Sequence, residues 1–558
     1  MFRLLTLICL LLAVPVLGVL TSWFVMDASG WAVLQHQIDT VLPEYALNSL
    51  LLMLFVGSGV ALVGGATAAL VTLFDFPLRR QFEWALLLPL AMPAYVLAYV
   101  ATDFLQFSGP LQSMLRELTG ARGPLWPDVR SLGGAAVLFV LCLYPYVYLL
   151  TRTALSERGA PLMEVARLLG AGTRRRVLEV ALPMARPALA GGVALALMET
   201  LADYGVGAYF GLQTFTTGIY KAWLVMNDRA AAAQLASLLL LLVAALLWME
   251  RRAQTRMRYA STRPTAHAAD AGVIRLRGWH AVSAVALCAT PVLLGFVLPV
   301  LVLLHMLATE MRTSEFGLPL ARFAQWSWTS FRLAALAAVL ATGVALALAL
   351  ALRLRPGPAL RWAAQAVSLG YAVPGAVLVV GILVPVGWLQ ASAPQLGVTG
   401  LVTGTAFGLM YAYLARFTSV ALQSVQAGYA RLPLSVDETA RVLGASRLRL
   451  FLELHVPLLR RAAVAAALLV FVDVMKELPA TLVLRPFNSD TLAVVAYQLA
   501  RDERLGEAAL PSLAIVLVGL VPVLLLTSAL RDRRPRAGRA SGKMRQRLRR
   551  TMDSATPS

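Results

Sequence analysis

The sequence is poor in charge and in cysteine. Only 14% of its 558 residues are charged, whereas 59% are hydrophobic, and the mean hydropathy is +0.72. No water-soluble globule of this length hides so much apolar surface, so the soluble classes are excluded. The three cysteines, Cys9, Cys142 and Cys288, lie far apart inside apolar runs and form no Cys-x-x-Cys pair. That excludes a disulfide framework or a zinc site and leaves apolar packing as their role. The histidines, His36, His267, His280, His305 and His455, show no metal-ligand spacing. There is no Gly-rich loop ending in Lys-Ser/Thr, no His-Glu-x-x-His and no Gly-x-Ser-x-Gly. Each of these would mark a nucleotide, metal or nucleophile site. The chain is therefore not expected to be an enzyme, to hydrolyse ATP by itself or to hold a cofactor.

Acidic residues are also scarce: 29 Asp plus Glu stand against 49 Lys plus Arg, a formal net charge of +20. In a soluble protein this would suggest nucleic acid. Here the placement of the charges gives a different answer. Twelve apolar spans are predicted, at about 4–24, 47–74, 83–104, 132–156, 187–212, 233–250, 279–307, 328–352, 364–389, 400–423, 462–484 and 512–530. Each is long enough, or nearly so, to cross a bilayer as a helix of about 20 residues. With the N-terminus inside, 35 of the basic residues fall on the inner side and 10 on the outer. This positive-inside bias predicts both termini in the cytoplasm of an inner-membrane, multi-pass protein, with no nucleic-acid partner. The first span reads as a signal anchor, since no small-residue cleavage site follows it.

The chain is written twice. The stretch "EVARLLGAGTRRRVLEVALP", Glu164 to Pro183, returns as "ETARVLGASRLRLFLELHVP", Glu438 to Pro457. An offset of 274 carries Glu164, Ala166, Gly170, Glu179 and Pro183 onto Glu438, Ala440, Gly444, Glu453 and Pro457. The same offset is expected to pair Glu199 with Asp473, Asp203 with Glu477, Thr217 with Thr491, Trp223 with Tyr497 and Asp228 with Asp502. Upstream an offset of 281 pairs Ser49 with Ser330, Pro77 with Pro358 and Pro93 with Pro374. An even number of spans per half makes this a parallel repeat about an axis along the membrane normal. The predicted division is a first six-span half at 1–250, a cytoplasmic linker at 251–278, a second half at 279–530 and a basic tail at 531–558 lying near anionic lipid.

Both quoted stretches fall between the fourth and fifth spans of their halves, on the cytoplasmic side. Val165, Leu168 and Leu169, and Thr439, Val442 and Leu443, recur at helical spacing. Gly170 and Gly444 then allow the positive φ that ends a helix and turns the chain. A second short helix is expected to run into Pro183 or Pro457. A topology anchor alone needs positive charge and not a helix-turn-helix of defined shape.

Glu-x-Ala-x3-Gly followed by a Leu-Pro or Val-Pro resembles the EAA loop of binding-protein-dependent ABC import permeases. The resemblance covers both halves, 45–245 and 325–530. It implies an all-α membrane fold of about 12 transmembrane helices in two parallel-repeat six-helix halves, each with a cytoplasmic coupling helix-turn-helix. It also implies a separate ATP-binding subunit, as a homodimer, docking on Glu164, Ala166, Gly170, Glu438, Ala440 and Gly444, and a periplasmic substrate-binding protein. The first copy has the family's trailing Pro187, where the second has Arg461. Fusion of two halves in one chain is similar to ferric-iron and thiamine permeases. Met198–Trp223 and Asp473–Ala509 lean toward iron.

Glu199 and Asp203 are four apart, as are Asp473 and Glu477, and are expected to share a helix face. Ionisable residues within membrane spans often mark a pathway, and hard oxygen donors suit a hard cation. The alternative is structural: Lys476 neutralises its neighbours, or the carboxylates cap turns at Gly205 and Pro479. No metal-ligand set is read from the sequence. A second architecture, an ion-driven secondary transporter, also uses repeats and buried carboxylates, but it has no need of two matched Glu-Ala-Gly turns.

Overall fold

The computed structural model describes residues 2–25, 28–156, 160–259, 274–314, 317–354, 357–430, 432–446 and 449–532. Among them nine helices are long and apolar enough to cross a membrane, or eleven if each of two sharply bent pairs counts as one span. The first half contains α1 (Phe2–Thr21), α2 (Leu42–Leu73), α3 (Ala94–Leu105), α4 (Leu132–Ala154), the short α5 (Ala160–Leu168), α6 (Leu182–Ala202), the short α7 (Gly205–Phe210) and α8 (Arg229–Tyr259). The second half contains α9 (Trp279–Thr313), α10 (Leu320–Leu354), α11 (Gly375–Ser392), α12 (Ala406–Tyr429), the short α13 (Leu434–Val442), α14 (Val456–Lys476), the short α15 (Pro479–Leu484) and α16 (Leu505–Asp532). Helix α14, at the predicted eleventh span, is not among the helices long and apolar enough to cross. It carries four charged residues, Arg460, Arg461, Asp473 and Lys476.

The predicted third span, 83–104, is broken. A 91° bend separates Arg79–Ala91 from Ala94–Thr119. Pro93 causes it: it stands extended at φ −62°, ψ 141° immediately before α3, and a proline disfavours helix in the residue that precedes it. Pro374 does the same before α11, at φ −57°, ψ 144°. The predicted spans 187–212 and 462–484 also stop short. Helix α6 ends at Ala202 and α14 at Lys476, and a short separate helix follows each.

The two halves interlock. Helix α1 packs on α10, α11 and α12 of the second half and on its own half's α8, while α9 packs on α2, α3 and α4 of the first half and on its own half's α16. Helices α1 and α11 meet at Gly18 and Gly381, where a side chain on Gly381 would strike the carbonyl of Pro15. Small residues of this kind let helix backbones approach closely where no hydrophobic force draws helices together. On the cytoplasmic side by the predicted topology, the end of the linker returns to the first half. Strand β2 (Ile274–Arg275) pairs in parallel with β1 (Phe74–Asp75), Phe74 opposite Ile274. Residues 260–273 of the linker and 533–558 of the tail lie outside the described residues.

One predicted register is corrected. The offset of 274 holds through α7 and α15, but the loop that follows has three more residues in the second half. Thr214 caps the next helix of the first half, and Thr491, not the partner of Thr217, caps its counterpart. Ser49 accepts the N–H of Phe215 and Ser330 that of Leu492. Tyr220, rather than Trp223, therefore corresponds to Tyr497. Both of these tyrosine rings lie against Tyr204, at 4.0 and 5.9 Å. Sequence matching missed the insertion because Thr recurs by chance at positions 217 and 491. The Ser49–Ser330 pairing expected from the other offset is consistent with this geometry.

Candidate functional site: paired coupling turns and a central cavity

The two Glu-x-Ala stretches fold alike. Helix α5 ends at Leu168, and Gly170 stands at φ +82°; α13 ends at Val442, and Gly444 stands at φ +81°. Ala171 N–H donates to Ala166 O (2.9 Å) and Gly170 N–H to Arg167 O (3.0 Å). Ala445 N–H donates to Ala440 O (3.0 Å) and Gly444 N–H to Arg441 O (3.0 Å). This paired pattern is the Schellman end of a helix, which needs a left-handed residue at the turn. A π-helical turn then leads into the next span in each half, Arg176–Ala181 and Leu450–His455. Exposed ion pairs brace it at matching positions, Arg175–Glu179 (2.7 Å) and Arg449–Glu453 (2.8 Å).

What these turns present is apolar. Leu168 is 77% exposed, Leu169 82%, Val442 87% and Leu443 82%. Glu438, Gly444 and Gly170 are exposed, and Ala166 and Ala440 are half-buried. The backbone of Glu164 lies in α5, and its side chain is outside the described residues. A pair of uncovered leucine ridges on stiff turns is a surface made to be covered.

Beneath α13 lies a polar network that the sequence reading missed. Arg353, in the last turn of α10, bonds Asp437 through Nε (2.6 Å) and Nη2 (3.2 Å). It also donates to the carbonyls of Tyr429, Leu432 and Pro433. His455 is fully buried, with Nε2 3.0 Å from Asp437 Oδ1 and Nδ1 3.2 Å from the Tyr429 hydroxyl. Burial by itself would raise the Asp437 carboxyl. The hydrogen bonds and charges of Arg353 and His455 outweigh it and hold the group below the usual carboxylate range.

The second site is a cavity of about 180 Å³ between the halves. Glu199, Asp203, Asp473 and Glu477 all line it, with Tyr95, Tyr146, Tyr371, Arg416 and Lys476. Four chain breaks surround it: before Pro93 and Pro374, and at Asp203 and Glu477. Non-helical backbone at membrane depth is tolerated where it lines such a cavity.

The four carboxylates are not equivalent, and the shared helix face is corrected. Asp203 and Glu477 lie just past their helices, extended at ψ 127° and 119°. They turn forward to cap the next helix. Asp203 accepts from Val206 N–H (2.8 Å), and Glu477 accepts from Ala480 and Thr481 N–H (2.9 Å each). Glu477 also takes Arg416 Nη1 at 3.4 Å. Those caps follow from the breaks, which leave orphan N–H groups that need an acceptor. Glu199 and Asp473 remain within helices α6 and α14, at matching places. Lys476 does not bond them but reaches the carbonyl of Leu90 (3.0 Å). Both Arg416 Nε and the Tyr95 hydroxyl are buried at this cavity without a hydrogen-bond partner. Among the described residues no three His, Cys, Asp or Glu side chains converge as a metal chelate would.

Two interlocked halves, matched glycine-ended turns and a cavity at broken helices make up this membrane protein, and its sequence is similar to those of transport permeases. Residues 61–259 match the family described as "Binding-protein-dependent transport system inner membrane component". The chain is 24% identical over 491 residues to the Fe(3+)-transport system permease protein FbpB 2 of Haemophilus influenzae, covering 87% of this chain and 90% of that one. It is 24% identical over 470 residues to the ferric transport system permease protein FbpB of Actinobacillus pleuropneumoniae, covering 82% and 66%. A putative 2-aminoethylphosphonate permease, PhnU of Salmonella choleraesuis, is 24% identical over 231 residues, 41% of this chain and 81% of that one.

Proposed function

We propose that this chain is the membrane subunit of an importer that carries ferric iron across the inner membrane. A separate ATP-hydrolysing subunit, as a homodimer, docks on the two EAA turns, and a periplasmic binding protein delivers the cargo. Both termini lie in the cytoplasm. One observation carries the iron reading. The relatives named for ferric transport align along 87% and 82% of this chain, across both halves, whereas the phosphonate relative covers 41%.

In this reading the six coupling residues split by task. Gly170 and Gly444 set the turn, Ala166 and Ala440 allow close approach, and Glu164 and Glu438 sit at the head of the docking surface. Closure of the ATPase pair moves both turns together, and the rigid Schellman ends pass that motion to α6 and α14. Those helices end just before Asp203 and Glu477, so the same motion reaches the cavity. Four carboxylates against two basic groups give a passing cation a favourable field, and Glu199 and Asp473 are the pair free to meet it. Asp203 and Glu477 chiefly hold the breaks open. The cavity passes its cargo and does not store it; selectivity rests with the external binding protein.

Proteoliposomes holding the chain, its ATPase and the loaded binding protein test this. Uptake of radiolabelled Fe³⁺ is expected to need ATP and to persist when the proton gradient is collapsed. Uptake that survives without ATP but stops with the gradient would instead mark a secondary transporter. Thiamine or another solute held by the copurifying binding protein would replace iron as cargo.

A further inference from the structure

The two coupling helices sit on different foundations. At the offset of 274 Leu155, Met163, Ala181 and Ala185 correspond to Tyr429, Asp437, His455 and Leu459. In the first half these four residues pack with Leu73 as a small apolar cluster, which Ile274 from the returning linker helps to cover. In the second half the same places hold Tyr429, Asp437 and His455, bonded to one another and to Arg353. Arg353 and Asp437 have side chains only 9% and 6% exposed. Neither lines the central cavity.

We infer that Arg353 and Asp437, with His455 and Tyr429, are positioning residues that clasp the second coupling helix, a role the first half gives to apolar packing. The inference rests on the coupling reading above. The chemistry explains why a clasp differs from a cluster. Apolar contact is non-directional and lets α5 slide with small cost. The planar guanidinium grips Asp437 at two atoms and at the same time holds three carbonyls at the end of α12, which fixes the direction of α13 as well as its depth. His455 completes the clasp: its Nε2 lies 3.0 Å from Asp437 Oδ1 and its Nδ1 3.2 Å from the Tyr429 hydroxyl, so each polar atom has a partner. The second turn is thereby the more rigid transmitter of the two.

Nitroxide labels at two matched exposed sites, Thr439→Cys on α13 and Val165→Cys on α5, read this in the full chain. The native thiols are buried and do not compete. Asp437→Asn is expected to raise label mobility at 439 severalfold and to leave 165 unchanged. Arg353→Met with Asp437→Met, which removes both charges together, is expected to be tighter than Asp437→Asn alone. The inference is overturned if 439 stays as ordered in Asp437→Asn as in the parent, if both labels loosen together, or if the double variant is as loose as the single one. Gly444→Pro in the complete transporter separates the two layers. If it leaves ATP-driven uptake intact while Asp437→Asn loosens 439, the coupling reading fails and the clasp stands. If it uncouples while 439 stays ordered in Asp437→Asn, the clasp alone fails.

Discussion

Arg353 and Asp437, 84 residues apart, are joined by two hydrogen bonds of 2.6 and 3.2 Å at the base of α13. At the equivalent place in the first half Met163 is buried among carbons. One fold thus seats the same motif by two kinds of force. The consequences can be measured separately.

Breaking the ion pair from one side leaves the other charge buried and unpaired. Arg353→Gln is expected to weaken the local structure by about 3–5 kcal/mol. Hydrogen exchange of α13 amides should accelerate by several powers of ten, while α5 keeps its parent rate. Equal acceleration in both helices would mean that the pair supports the whole fold and not this element.

Acid should act on the same pair in a known direction. The Asp437 pKa is held down in the folded chain, so its contribution is complete above the unfolded carboxylate value of about 3.9. It is lost as pH falls through the lower folded value. In detergent, the order of α13 is expected to stay flat from pH 8 to about pH 5 and to fall only in stronger acid. Asp437→Asn should abolish that acid transition, and its persistence in that variant would assign it to another group.

Proline cannot take the positive φ of Gly170 or Gly444, because its ring locks φ near −65°. Gly170→Pro and Gly444→Pro are expected to insert normally yet lose ATP-driven uptake, by about tenfold or more if a barrier of roughly 1.4 kcal/mol is restored. Normal uptake with normal ATPase stimulation would remove the coupling role from these turns.

The four carboxylates should divide into two groups. Glu199→Gln and Asp473→Asn are expected to slow cation uptake about tenfold, the effect of roughly 1.4 kcal/mol on a barrier, with thermal stability unchanged. Asp203→Ala removes a helix cap and should cost about 0.5–2 kcal/mol of stability, visible as a lower melting temperature. A stability loss in Glu199→Gln with unchanged uptake would contradict the division.

Gly381→Val places carbon against the Pro15 carbonyl. Overpacking of this kind costs about 1–3 kcal/mol, so α1 should separate from α11 and become open to protease. An unchanged cleavage pattern would mean that the two halves hold together elsewhere.

The sequence by itself determined the membrane class, the twofold repeat and the helix-ending glycines. Composition, an offset of 274 and the rarity of positive φ are local or countable properties, and none depends on knowing which residues touch. Carboxylates at 199, 203, 473 and 477 could be picked out as costly in a membrane, yet their different duties could not. Whether Asp203 extends a helix or caps the next one depends on a chain break whose stability comes from packing around it. Only the tertiary structure decided that the first helix of each half crosses to the other, that three extra residues shift the register after α15, and that Asp437 finds Arg353 where Met163 finds leucine. Those outcomes are set by partners 80 to 400 residues away, and no short-range pattern in a chain encodes which distant group will neutralise a buried charge.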